Sequence, residues 1–180
     1  MHCGSCSFCR AADRSRRIRV NPESTIILSA MIDYPPIEAQ RDGYTISTDK
    51  SRQDVAAIHA YLTRSYWSPG IPKAVVEKGI AGSLCFGLFS EQGEQVGFAR
   101  AITDGATFAY LADVYVLEEH RGKGLGKWMV ETILAHPSLQ GLRRILLATR
   151  DAHELYAPFG FKPLATPEIF MSIHRPNPYE

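Results

Sequence analysis

The chain has almost no excess of charge: 20 Lys and Arg stand against 19 Asp and Glu, a formal net charge of +1. Without a broad electrostatic field there is little to draw in nucleic acid or an anionic membrane, so an anion site has to be local. Long apolar runs are also missing. None approaches the roughly 20 residues that cross a bilayer, and the longest are the length of core strands, which points to a soluble, cytoplasmic protein. Cysteine is scarce beyond the N-terminus, where Cys3, Cys6 and Cys9 crowd together, and the body holds only Cys85, inside an apolar strand-like run. Cys85 reads as a small buried hydrophobe. The Cys-x-x-Cys-x-x-Cys spacing offers three thiolates, with His2 as a fourth ligand, but four ligands within eight residues make a cramped site. No metal is assigned there.

What is present is ordinary globular material: 180 residues, 45% hydrophobic and 22% charged, enough for one core without staples. The first forty residues differ from the rest. "ADRSRRIRVNPEST" is basic and polar, "DYPPIEAQRDG" is rich in turn formers, and neither holds a period of 2 or 3.6. Residues 1–40 are therefore expected to be a loosely attached tail, with Met31 as an alternative start, and residues 41–180 the folded domain. A secretory leader is not indicated, because a clean apolar core and a small-residue cleavage site are both lacking.

Along the body, "GYTISTD" (43–49) alternates like a strand. Ser51 or Asp54 then caps a helix that places Val55, Ile58, Tyr61 and Leu62 on one face. "WSPGIP" interrupts, and Pro72 opens a second helix over "KAVVEKGIAG". Three strands follow, at 83–90, 95–103 and 107–116, joined by linkers short enough for an antiparallel meander. A helix with Leu125, Trp128, Met129, Thr132 and Ile133 on its apolar face runs to Pro137. "LRRILLAT" reads as a buried strand, "DAHELYAPF" as a short helix, and "FKPL" and "IFMSIHR" as closing strands.

Between the last strand of the meander and the next helix lies "RGKGLG", Arg121 to Gly126. The first amides of a helix have no intrahelical acceptor and carry the positive end of its dipole, so they converge on an anion. Gly122, Gly124 and Gly126 leave the backbone open to a diphosphate, and Arg121, Lys123 and Lys127 add charge. The Walker pattern G-x-x-x-x-G-K-[ST] is absent, and a Rossmann loop would follow the first strand of a parallel unit, not a meander.

The sequence resembles the GCN5-related N-acetyltransferase (GNAT) family, whose R/Q-x-x-G-x-G/A signature is matched by Arg121, Gly124 and Gly126. A second family motif is matched by "LYAPFGF", Leu155 to Phe161, about thirty residues further on. The resemblance covers roughly residues 43–175. It implies an α/β fold with a mixed, mostly antiparallel sheet of six to seven strands, about four flanking helices, and a splay between the fourth and fifth strands. It also implies acetyl-CoA as cosubstrate, with its pantetheine along Val114, Tyr115 and Val116 and its pyrophosphate on the loop from Arg121 through Gly122, Lys123, Gly124, Leu125 and Gly126 to Lys127. Tyr156 takes the place of the tyrosine that protonates the departing sulfur, and Asp113 that of the strand carboxylate that accepts the amine proton.

Thr149 stands where relatives often carry Asn, and this departure brings His153 forward as an alternative base. Tyr66 and Trp67, in the connection of the first two helices, and Arg100 are expected around the acceptor. The activity implied is acetylation of a primary amine on a small molecule by direct attack on the thioester, in a chain that forms a homodimer. Acetylation of a peptide or protein amine, and a CoA-binding module without turnover, are the alternatives.

Overall fold

The computed structural model describes residues 34–175 and 179, so the Cys3, Cys6 and Cys9 cluster and most of the expected tail lie outside the described residues. Six strands form one sheet in chain order: β1 (Glu38–Arg41), β2 (Tyr44–Ser47), β3 (Leu84–Phe89), β4 (Gln95–Thr103), β5 (Phe108–Val116) and β6 (Arg144–Leu147). Every neighbouring pair is antiparallel except β5 and β6, which run parallel. The α-helices among the described residues are α1 (Val55–Leu62), α2 (Lys73–Ala81), α3 (Leu125–Ala135) and α4 (His153–Tyr156).

The meander and the apolar helix faces fall where their periods predict. β3 is buried along its whole length, and its alternation splits the core in two. Leu84, Phe86 and Leu88 join Trp128, Met129 and Ile133 of α3 in one cluster. Cys85 joins Ile58 and Leu62 of α1 and Val76 and Ile80 of α2 in the other. Burial pushes the Cys85 thiol up to about 12, in keeping with its role as a small hydrophobe. Asp54 is the residue that caps α1, accepting from the amides of Ala56 and Ala57 at 2.9 and 3.0 Å.

Three expectations are corrected. The structured unit begins before residue 41, because β1 lies within the stretch assigned to the tail. Its Glu-Ala-Gln-Arg sequence is an exposed edge strand with no buried face to set a period. The anticipated closing strands do not form: 161–164 and 170–175 carry no strand, and a single 3-10 turn at Pro167–Ile169 separates them. In consequence β6 is a half-exposed edge rather than a buried strand.

Candidate functional site

The site is built on a defect in the sheet. Phe98 pairs with Tyr115 and Arg100 with Ala112, so Asp113 and Val114 of β5 both stand opposite the single residue Ala99. That extra residue is a β-bulge, and Asp113 takes it up with a left-handed φ of 56°. Phe108 to Leu111 pair with β6; from Ala112 to Val116, across the bulge, β5 has no partner on that side among the described residues. The expected splay is present between β5 and β6, which are the fourth and fifth of the strands expected from sequence because β1 was not among them, and the bulge supplies its bend.

Asp113 is heavily engaged. One carboxylate oxygen is ion-paired with Arg100 Nε, and the other accepts from Trp67 Nε1 at 3.2 Å. Arg100 also donates to Ser83 Oγ at 3.2 Å. Trp67 meets Tyr66 edge to face at 4.9 Å, and Tyr66 is bound in turn to the start of α4. Its hydroxyl accepts from the Arg150 amide and donates to Asp151 Oδ1, both at 3.3 Å, while the Arg150 guanidinium lies 3.9 Å from its ring centroid. The three residues expected near the acceptor are thus connected to one another through Asp113, across the splay.

At the other end of β5, a 3-10 turn over Glu118–His120 leads into the glycine loop. Gly122 and Gly124 have φ of 78° and 75°, and Gly124 is the N-cap of α3. A side chain at either would meet no atom within 4 Å, so glycine is required here by backbone conformation rather than by crowding within the protein. Gly126 differs: it lies inside α3, and a Cβ there would stand 3.5 Å from Leu155 of α4. Among the described residues, the amides of Gly122 through Lys127 donate to no protein acceptor, and the first bond of α3 is Trp128 N to Gly124 O at 3.0 Å. Six adjacent donors without acceptors, at the positive end of an 11-residue helix, form an anion cradle.

The charged residues of the loop divide. Arg121 turns back, donating through Nε to Val116 O at 2.9 Å and through its terminal nitrogen to Tyr61 Oη at 3.2 Å. This bond occupies the Val116 carbonyl. Lys123 donates to Tyr44 Oη at 2.8 Å, and Lys127 has no protein partner among the described residues. Tyr61, read from sequence only as part of a core face, stacks on Tyr115 with centroids 3.6 Å apart and joins the wall of the loop cleft.

Two clefts meet at the splay. One, of about 780 Å³, runs from Val114, Tyr115 and Val116 to the glycine loop. The other, of about 600 Å³, is bounded by Trp67, Arg100, Asp113, Tyr156 and Tyr179. Tyr156 is buried, with its ring edge-on to Phe161 at 5.7 Å, and it stands in the second cleft, not the first. Burial pushes its phenol up to about 12. His153 lines neither: it lines a third cavity along β6 and α4, which it shares with Thr149 and Tyr156. Thr149 accepts from the Ala152 amide at 3.0 Å and so belongs to the start of α4. Tyr179 carried no motif by which the sequence could single it out.

An acetyltransferase (GNAT) domain model matches residues 81–163, which span the meander, loop, α3 and α4. A candidate acetyltransferase of Gibberella zeae is 38% identical over 138 residues, 64% of this chain and 77% of its own. The crystal structure of a candidate acetyltransferase of the GNAT family from Xanthomonas campestris pv. campestris is 49% identical. It superposes with a TM-score of 0.74, covering 78% of this chain and 99% of that one. A candidate acetyltransferase of Clostridium acetobutylicum, solved with acetyl-CoA, shares the fold at 14% identity and a TM-score of 0.55, over 73% of this chain and 94% of its own. The chain belongs to the GNAT family of acetyltransferases and is an N-acetyltransferase.

Proposed function

We propose that the protein transfers the acetyl group of acetyl-CoA to a primary amine on a small molecule, by direct attack of the amine nitrogen on the thioester. The observation that carries this reading is the row of acceptorless amides from Gly122 to Lys127 beside the unpaired edge of β5. The amides and Lys127 take the pyrophosphate. Backbone groups at Val114 and Tyr115 supply strand-like hydrogen bonds to the pantetheine, with the Val116 carbonyl already given to Arg121.

In the step itself the nitrogen bonds to the carbonyl carbon, the carbon–sulfur bond breaks, the nitrogen sheds a proton as the amide forms, and the thiolate takes one. Tyr156 donates it: a phenol pushed up to about 12 stays protonated through the neutral range. Asp113 has both oxygens committed to Arg100 and Trp67, which supports a role in holding the wall of the acceptor cleft rather than in removing the amine proton. Tyr66 and Trp67 form that wall, opposite Arg100.

Thermal unfolding with acetyl-CoA, CoA and ATP added separately tests the cradle, because a ligand of the folded state raises the melting point by mass action. Both CoA species should raise it and ATP should not. Thiol release against amines, peptides and proteins then identifies the acceptor class. Tyr156→Phe should lower turnover by about 100-fold with acetyl-CoA affinity unchanged; unaltered turnover would remove Tyr156 from the mechanism. The reading includes a homodimer and a cytoplasmic location. No helix among the described residues is long and apolar enough to cross a membrane.

A further inference from the structure

Resting on the amine-acetylation reading, the remaining question is which group takes the proton of an acceptor that arrives as an ammonium ion. That group must reach both the bound thioester and the bound amine, so it belongs where the two clefts join. Tyr66, Trp67, Val114, Asp151 and Ala152 line both. Asp151 is the one carboxylate in that set, and the one titratable residue in it besides Tyr66.

Its competitors are placed otherwise. Asp113 lines the acceptor cleft but not the loop cleft, and it is tied on both oxygens. His153 lines neither of the two clefts but a separate cavity along β6 and α4. Asp151 uses Oδ1 to accept from Tyr66 Oη at 3.3 Å, and its Oδ2 has no hydrogen-bond partner among the described residues. The Tyr66 hydroxyl also receives the Arg150 amide, so the loop that carries Asp151 is fixed to the acceptor wall by two hydrogen bonds and by a guanidinium stacked on the same ring. A carboxylate oxygen without a partner is thereby held on a braced loop at the junction.

We propose that Asp151 binds the acceptor as a primary ammonium at the junction of the two clefts and accepts its proton before the nitrogen attacks. The first proton passes from the ammonium nitrogen to the carboxylate and then to water; the neutral amine displaces the thiolate, and the second proton, shed by nitrogen as the amide forms, balances the one that Tyr156 gives to sulfur. The aromatic faces of Tyr66 and Trp67 beside the carboxylate suit a cation with an apolar body. The charged and titratable groups that line the two clefts with Asp151 are Arg150 on its own loop, the Arg100–Asp113 pair in the acceptor cleft with the phenols of Tyr110, Tyr156 and Tyr179, and, on the loop side, Lys127, His120, the phenols of Tyr61 and Tyr115, and Arg121, itself paired with Glu118. Arg100 is neutralised by its partner.

The test uses the full chain with acetyl-CoA and a panel of probe amines, namely 2-phenylethylamine, butylamine and a lysyl peptide, read by thiol release from acidic to alkaline pH. Asp151→Asn should lose about 100-fold in kcat at neutral pH, while acetyl-CoA still raises its melting point as in the wild type. The loss should shrink as pH rises toward the pKa of the amine, where solvent has already removed the proton. Asp151→Glu should recover part of the rate. A loss of the same size at every pH, or no loss, overturns the proposal and leaves the acetylation reading standing. Failure of the wild type to release thiol with any of the amines overturns both.

Discussion

His136 shows what one buried side chain imposes on the protein. It is fully buried, with Phe86 and Tyr34 edge-on to its ring at 5.7 and 6.5 Å, and its Nδ1 accepts from the Ser138 amide at 3.2 Å. The ring is therefore the neutral tautomer with hydrogen on Nε2, which makes no well-aligned hydrogen bond, although the nearby Pro35 backbone opposes part of the effect of burial. Burial pushes the His136 pKa below the ordinary histidine value, because the imidazolium would have to shed its water. The folded state thus resists a proton that the unfolded chain accepts. Stability is unaffected above the unfolded pKa of about 6.5 and falls as pH drops through it, until the lower folded value is reached. Urea unfolding at about pH 8 and about pH 5 should show a loss of stability at the acid end, and His136→Phe should lose less over the same interval. The sequence contains nothing that separates His136 from five other histidines; only the fold, which buries it behind Phe86, gives it this property. Asp113 is similar. Its position on a strand was legible, but its positive φ and its place in a bulge follow from the register between β4 and β5, which pairs residues about fifteen positions apart.

At the scale of elements, legibility follows burial. β3, β4 and β5 were readable because each sends alternate residues into two different cores, and α3 because its buried face keeps a helical period. β1 was invisible and the closing strands were overcalled for related reasons. Exposed edge residues carry no period, and the alternation of Ile169, Met171 and Ile173 is a strand pattern that finds no sheet among the described residues. The glycine loop was legible as chemistry, since three glycines at a strand-to-helix junction have few other uses, yet its amides act as a cradle only because α3 starts as late as Leu125. Strand packing makes its own demand at Gly97 of β4. A Cβ there would stand 2.8 Å from the Tyr115 carbonyl and 3.1 Å from Leu88 Cδ2, with β5 unable to retreat from its ladder. Gly97→Ala should destabilise the fold by about 1–3 kcal/mol through overpacking. Equilibrium urea unfolding checks it, and an unchanged midpoint would mean that the bulged part of β5 yields at little cost.

At the scale of the whole molecule, the sheet edge at β6 is uncovered among the described residues. β6 ends the sheet with Ile145, Leu146 and Leu147 only half buried, and among the described residues no backbone group bonds to its outer edge. Nearby, Phe170 lies under the Arg144 guanidinium at 5.0 Å, and beyond it Met171 and Ile173 are 98% and 91% exposed. A sheet edge and a strand-patterned apolar segment without a sheet are complementary, and a two-fold pairing brings both together twice in one isologous contact. A second copy of the chain is accordingly the expected occupant, and light scattering should give a mass twice the 20.0 kDa of the chain. Met171→Asp combined with Ile173→Asp should return it to the monomer mass. The acetyl-CoA-induced rise in melting point should survive, because the cradle at Gly122 to Lys127 is built from a single chain's own amides. A monomer at all concentrations in the unsubstituted protein would instead mean that the segment finds its place within its own chain. Loss of the acetyl-CoA response on dissociation would mean that the second copy helps to hold the splay open.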